Sequence, residues 1–403
     1  MDYGKDEPKM IGYKEVHETV QTNKVMAIEC LSALVQTPST TGQEMAVSQV
    51  LCDWLRRAGL QPKVIGCAPE HPNVLAEWFG DKPGKRFIFN GHMDTFAPAD
   101  GDQMPEPYSG LVKDGVLYGR GAADMKGGDA AALMAVTFLR SMGFNPRGSV
   151  LLSYMCDEEN GGQLGVKWLV QQELLNGDFG ICMEPTDRKV CIGHSGIYRL
   201  SITYQAKPVF SGNAHPTKNA LEKAIIAIRE LYLYRDQVVR KKSDPDYKSP
   251  TLEVTTLHAG NATNVHAGKA TFSIDYRLVP GETHESVSHA ILRILEALKA
   301  ADSDMDFSYN LISDRPVLEV PEDSDIVRAC KTAYEQVTGS QAICYKRHGG
   351  SDAASIYAHN GIPMPNWGFA KIGYAGSINE QFSVAEYLQS IECYMLTLIQ
   401  MLS

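Results

Sequence analysis

The sequence lacks any apolar run long enough to span a bilayer, which excludes a helical membrane protein and a membrane partner of that kind. Its first ten residues are charged and contain proline, without the apolar core of a secretory signal. It has no Cys-x-x-Cys pair, and its nine cysteines are scattered and cannot all pair internally. Free thiols in a reducing compartment, the cytoplasm, are therefore expected. A basic surplus is also missing: the net charge is −10, which argues against nucleic acid as a partner. No internal repeat or low-complexity tract interrupts the chain. What remains is the composition of an ordinary globular protein, 44% apolar and 21% charged. Its 403 residues exceed one ordinary core, so two domains are expected.

The stretch Phe87 to Ala131 organises the rest. Arg86-Phe87-Ile88-Phe89-Asn90 reads as a buried strand running into Gly91-His92-Met93-Asp94. Side chains alternate along a strand, so His92 and Asp94 share a face, and at the C-terminal edge of an open sheet that face meets the ligand crevice. Asp124 follows in a glycine-rich turn, Gly119-Arg120-Gly121-Ala122-Ala123-Asp124, that opens a helix over 125–142. The turn is not a dinucleotide fingerprint. The third glycine position falls on Asp124, and the preceding strand carries His-x-Asp instead.

Two further apolar strands end in acids: 149–155 runs into Cys156-Asp157-Glu158-Glu159, and 180–183 into Glu184. Adjacent acids repel unless a cation or partner sits among them. The alternative for 157–159 is a solvated acidic turn before a helix at 164–175, where negative charge suits the helix N-terminus. Helices are expected at 14–36 and 43–58, and a strand at 73–79 with 86–90 as its neighbour. Strand–helix alternation over 1–197 indicates a mainly parallel α/β sheet covered by helices. From 198 to 312 the pattern changes to strands at 198–206, 252–258 and 270–278 with helices at 219–235 and 284–300, an inserted α+β domain. The first domain resumes over 313–403 and ends in a helix at 383–402.

His92, Asp94, Asp124, Glu158, Glu159 and Glu184 thus gather at the strand ends and helix starts of one sheet. Such a set can bind a divalent metal and leave one carboxylate free as a base. In this order the motifs resemble the co-catalytic metallopeptidase and amidohydrolase family of carboxypeptidase G, aminoacylase, acetylornithine deacetylase and succinyl-diaminopimelate desuccinylase, over nearly the whole chain. The resemblance implies that His92, Asp124 and Glu184 hold a first metal, with Asp124 bridging and Asp94 orienting His92. It implies Glu158 as general base and Glu159 as ligand of a second metal, the ions being zinc, manganese or cobalt. Asn264-Val265-His266-Ala267-Gly268 resembles the family's lid motif, and Asp275-Tyr276-Arg277 its Asp-x-Arg motif. Arg277 is then the expected clamp for a substrate carboxylate; the alternative is a structural ion pair with Asp275. Gly349-Gly350-Ser351-Asp352-Ala353 resembles the turn lining the substrate end. The resemblance also implies at least a homodimer assembled through 198–312.

Two positions depart from the family. The lid histidine position, nine residues before Asn219-Ala220, is occupied by Phe210, with His215 the only histidine nearby. Gly376, in Gly376-Ser377-Ile378-Asn379-Glu380, stands where a second-metal histidine is usual. Three readings follow: a one-metal enzyme, a two-metal site completed by His348 or Glu380, or a relative that binds ligand without turnover. His194 is a further candidate to reach the site. Without the lid histidine, a tetrahedral oxyanion loses a donor. A reaction whose charge spreads into an aromatic ring does not need it, and one branch of the family, 5-nitroanthranilate aminohydrolase, removes an amino group from such a ring. Phe210 either faces an aromatic substrate or packs within the lid. The expectation is a metal-dependent hydrolase of a C–N bond in a small carboxylate substrate. Deamination of an aromatic amine is set beside hydrolysis of N-acyl amino acids or dipeptides.

Overall fold

The computed structural model describes residues 11–98, 106–213, 218–247 and 249–403. These form two compact units. The first contains the described residues up to Gly193 with Val320–Tyr345 and Ser351–Ser403; the second comprises His194–Glu319 and Lys346–Gly350. The strand Phe307–Arg315 of the second unit runs past residue 312 because it pairs along Gly196–Gln205 and cannot be cut there.

The first unit is built on a five-stranded sheet in the order Lys63–Ile65, Asn73–Phe79, Arg147–Met155, Lys82–His92, Phe179–Cys182. The last three strands are mutually parallel, while the first two join antiparallel. This corrects the expected pairing of 73–79 with 86–90. Asn73–Phe79 lies instead against Arg147–Met155, with Val74 opposite Tyr154 and Phe79 opposite Ser149. The link of Gly80 and Asp81 is too short to reveal that a later strand inserts between its neighbours, which is what a crossover through the helix Lys126–Ser141 does.

The parallel strands read as near-continuous apolar runs because helices cover them. Phe87, Ile88 and Phe89 are fully buried, and the Phe89 ring lies 5.3 Å from that of Tyr394 in the C-terminal helix Val384–Leu402. The helix Lys126–Ser141 comes down so closely that a Cβ on Gly128 would lie 2.5 Å from the Met183 carbonyl. The expected helix over 14–36 is two helices, Tyr13–Thr22 and Lys24–Val35, broken at Asn23.

In the second unit a four-stranded antiparallel sheet has the order Thr251–Ala259, Lys269–Leu278, Gly196–Gln205, Phe307–Arg315. Lys269–Leu278 buries every second residue, the period of a sheet with one covered face. Its core joins Leu200, Ile202, Phe272 and Ile274 to Ala224 and Leu231 of the helix Ala220–Gln237 and to Ile291 and Leu295 of the helix His284–Ala301. Among the described residues no helix is long and apolar enough to cross a membrane.

Candidate metal centre

Three parallel strands deliver the acidic cluster of the first unit. His92 ends its strand, Glu158 and Glu159 follow Arg147–Met155, and Glu184 follows Phe179–Cys182. Asp124 arrives from the turn ahead of the helix Lys126–Ser141. Two groups of donors share His92: His92 with Asp124 and Glu184, and His92 with Glu158 and Glu159. In each, the donor atoms lie within 4.8 Å of one another. His92 Nε2 is 3.3 Å from Asp124 Oδ1 and 3.8 Å from Glu184 Oε1.

The acidic turn is built and buried, not a solvated helix cap. Asp157 adopts the left-handed conformation at φ 65°, and its carbonyl accepts the Gly162 N–H at 2.7 Å. Its carboxylate accepts the Leu164 N–H at 3.0 Å. Asp tolerates this conformation at modest cost, and the tight turn directs the next two acids inward. Glu158 is buried, and the following helix does not begin until Val166.

Asp94 holds that turn. Its Oδ1 accepts the Glu158 N–H at 3.0 Å, while its Oδ2 accepts the Glu159 N–H at 3.1 Å and the Thr41 hydroxyl at 2.9 Å. His92 Nδ1 lies closer to the Asp94 carbonyl, at 2.9 Å, than to its carboxylate, at 3.5 Å. The backbone of Asp94 therefore orients the imidazole, and its side chain fixes the turn that carries Glu158 and Glu159. Burial alone would raise the Asp94 carboxyl; its bonds to His92 and these donors hold it below the usual range.

The charge of the cluster asks for a cation. Burial would depress the His92 imidazole, yet the carboxylates of Asp124 and Asp94 raise it well above its ordinary value. Glu159 is pushed up to about 11, first by burial and then by Asp124 and Glu158. Its Oε1 is buried without a hydrogen-bond partner. One imidazole and several converging carboxylates, one with an orphaned oxygen, fit a divalent metal of the zinc, manganese or cobalt type.

Glu380 is not a spare ligand. Its Oε1 accepts the backbone N–H groups of Ala123 and Asp124 at 3.0 and 2.9 Å, and its Oε2 accepts Arg120 Nη1 at 2.9 Å. Burial pushes its carboxyl up to about 7. Gly376 sits at φ 62°, where a Cβ would lie 3.0 Å from the Phe96 ring.

The other expected site residues belong to the second unit. Arg277 donates from Nε and Nη2 to Asp275 at 2.6 and 3.2 Å, and Arg199 Nε joins the same carboxylate at 2.7 Å. The ion pair given above as the alternative for Arg277 is thus present. Phe210 bridges Val265 across two loops, and the Ser211 N–H donates to the Asn264 carbonyl at 2.9 Å. Phe210 itself is 54% exposed, so it does not pack into the core. His348 Nδ1 lies 3.0 Å from the Ser195 hydroxyl. A Cβ on Gly350 would come within 2.6 Å of the tip of the Ile197 side chain, which would have to shift. His194 is fully buried beside Ser195. His215 lies outside the described residues. Sequence reasoning missed Thr41 and Arg120 as partners of the site, and no local pattern around either distinguishes it.

A family model described as peptidase family M20/M25/M40 matches residues 88–400. Succinyl-diaminopimelate desuccinylase of Alkalilimnicola ehrlichii is 27% identical over 340 residues, covering 82% of this chain and 87% of that protein. The M20 family metallo-carboxypeptidase of Sulfolobus solfataricus superposes with a TM-score of 0.79 at 17% identity, covering 93% of this chain and 98% of that one. A dinuclear metal-binding peptidase of Bacillus subtilis superposes at 0.68 and 17% identity, covering 94% and 98%. At such identities the two structures speak to the fold.

Proposed function

The chain belongs to peptidase family M20/M25/M40 and is a hydrolase of C–N bonds, and we propose that it cleaves such a bond in a small carboxylate-bearing substrate at the His92 cluster. The observation that carries this is the pair of donor groups sharing His92, with ligand atoms within 4.8 Å. His92, Asp124 and Glu184 would hold one divalent ion and Glu159 would face a second. A bound ion there supplies Lewis acidity and makes water acidic near neutral pH. Glu158 takes a proton from the attacking water as the C–O bond forms. It returns that proton to the nitrogen as the C–N bond breaks. Asp94 keeps Glu158 in reach by holding its backbone N–H. With Glu380 committed and glycine at 376, a second ion would be the weaker one, and the one-ion reading is the better supported.

Arg277 is proposed to clamp a substrate carboxylate, and Asn264, Phe210, His348 and Gly350 are proposed as further substrate-binding residues. The half-exposed ring of Phe210 supports an aromatic amine as substrate. The likeness to a desuccinylase supports the second reading, hydrolysis of an N-acyl amino acid or dipeptide. Exposed Leu257, Tyr309 and Leu311 on the edge strands of the second unit support assembly of two chains through 198–312; light scattering giving a monomer would remove that element.

The deciding experiment loads the protein with manganese and follows turnover on N-acyl amino acids and on aminobenzoates. Turnover of the aminobenzoates alone selects the first reading, and turnover of the acylated substrates the second. Glu158→Ala should lower turnover by about 10²–10⁴-fold while leaving metal stoichiometry unchanged. Equal loss of both contradicts its assignment as base, and an unmodified protein that turns over neither substrate class contradicts the proposal.

A further inference from the structure

Arg120 and Glu380 are each about 1% exposed and pair at 2.9 Å. A buried ion pair is rarely a net gain in stability, since desolvating both charges offsets their attraction. This pair does something an apolar pair could not. Glu380 Oε1 takes two consecutive backbone N–H groups, those of Ala123 and Asp124. Its own carbonyl accepts the N–H of Gly119, at 3.1 Å, where the same turn begins. The strand that follows, Gln381–Ser383, runs antiparallel to Val116–Tyr118, with Gln381 opposite Tyr118. The turn from 119 to 124 is thus held at its entry by strand pairing and at its exit by one carboxylate, whose other oxygen is fixed by the guanidinium.

We infer that Glu380 is a positioning residue for Asp124: with Arg120 as its brace, it sets the backbone from which Asp124 reaches to within 3.3 Å of His92. The inference rests on the metal-site reading above and adds a residue that touches neither ion nor substrate. It gives Glu380 a role at the site although Gly376, four residues before it, offers no ligand. Replacing such an outer partner typically weakens metal binding about 10–100-fold.

The test titrates the full-length, metal-stripped protein with manganese by calorimetry, well below its unfolding temperature, with circular dichroism on the same samples. Glu380→Gln keeps the volume but puts an amide where two opposed donor sets need acceptors. It should remain folded and bind manganese about 10–100-fold more weakly. A purely structural role would lower the unfolding temperature and leave the affinity of the folded protein alone, which would overturn the inference. Should Glu380→Gln fail to fold, Arg120→Lys keeps the charge and removes the planar fork. Weaker binding by that folded variant supports the brace, and unchanged affinity overturns it. An unmodified protein that binds no manganese instead sinks the metal-site reading, a separate result.

Discussion

His194 is buried on every side, and that burial, with Arg347 and Arg315 nearby, lowers its imidazole to about 3. Its Nδ1 lies 3.0 Å from the Ser195 carbonyl, so the neutral ring keeps its proton there. The unfolded chain protonates the same group below about pH 6.5, while the folded chain does not until about 3. Between those values the unfolded state binds more protons, so stability falls as pH falls. Each unit of pH in that window costs about 1.4 kcal/mol, or roughly 2.7 kcal/mol by pH 4.5. Urea unfolding at pH 7 and 4.5 should show this loss, and His194→Asn should show a smaller one; parallel losses would mean that His194 titrates normally. His194 was visible in the sequence only as a histidine near a glycine. Its surroundings were not, because Arg315 and Arg347, whose charges act on it, lie far along the chain.

Elements were more legible than their pairing. The strand ending at His92 and those leading into Glu158 and Glu184 show themselves as short apolar runs closed by acids. The helix after Asp124 shows itself by its alanines. All four are present, and the residues at their ends converge. The neighbour of Asn73–Phe79 was misread because local spacing carries no information about which later strand inserts. Phe307–Arg315 escaped notice for a related reason: as an edge strand it exposes Tyr309, Leu311 and Ile312 and lacks clean alternation. The second tier of the site was equally silent. Asp94 looked like a partner of His92, two residues away, and it is one; that its carboxylate also accepts three hydrogen bonds, from Thr41, Glu158 and Glu159, was not visible. Glu380 looked like a possible ligand, whereas it is a brace more than 250 residues from the turn it holds. Contacts of that separation follow from topology, and a single sequence does not display topology.

At the scale of the whole molecule, a site that binds an ion only when folded must raise stability by mass action. At a free ion concentration a hundred times the dissociation constant the gain is about 2.7 kcal/mol. A chain of two units need not unfold in one step, so the readout has to be assigned to one of them. The sequence provides that assignment. Its four tryptophans, Trp54, Trp78, Trp168 and Trp367, all lie in the first unit, which also carries His92, Asp124, Glu158, Glu159 and Glu184. Tryptophan fluorescence therefore follows the unfolding of the unit that holds the ion. A chelator should lower that transition by several degrees, and added manganese should restore it. His92→Ala removes the residue common to both donor groups and should abolish the response, while Glu158→Ala should keep most of it. A transition indifferent to chelator and to manganese would mean that the cluster holds no ion, and that the raised carboxyl of Glu159 is neutralised by a proton alone.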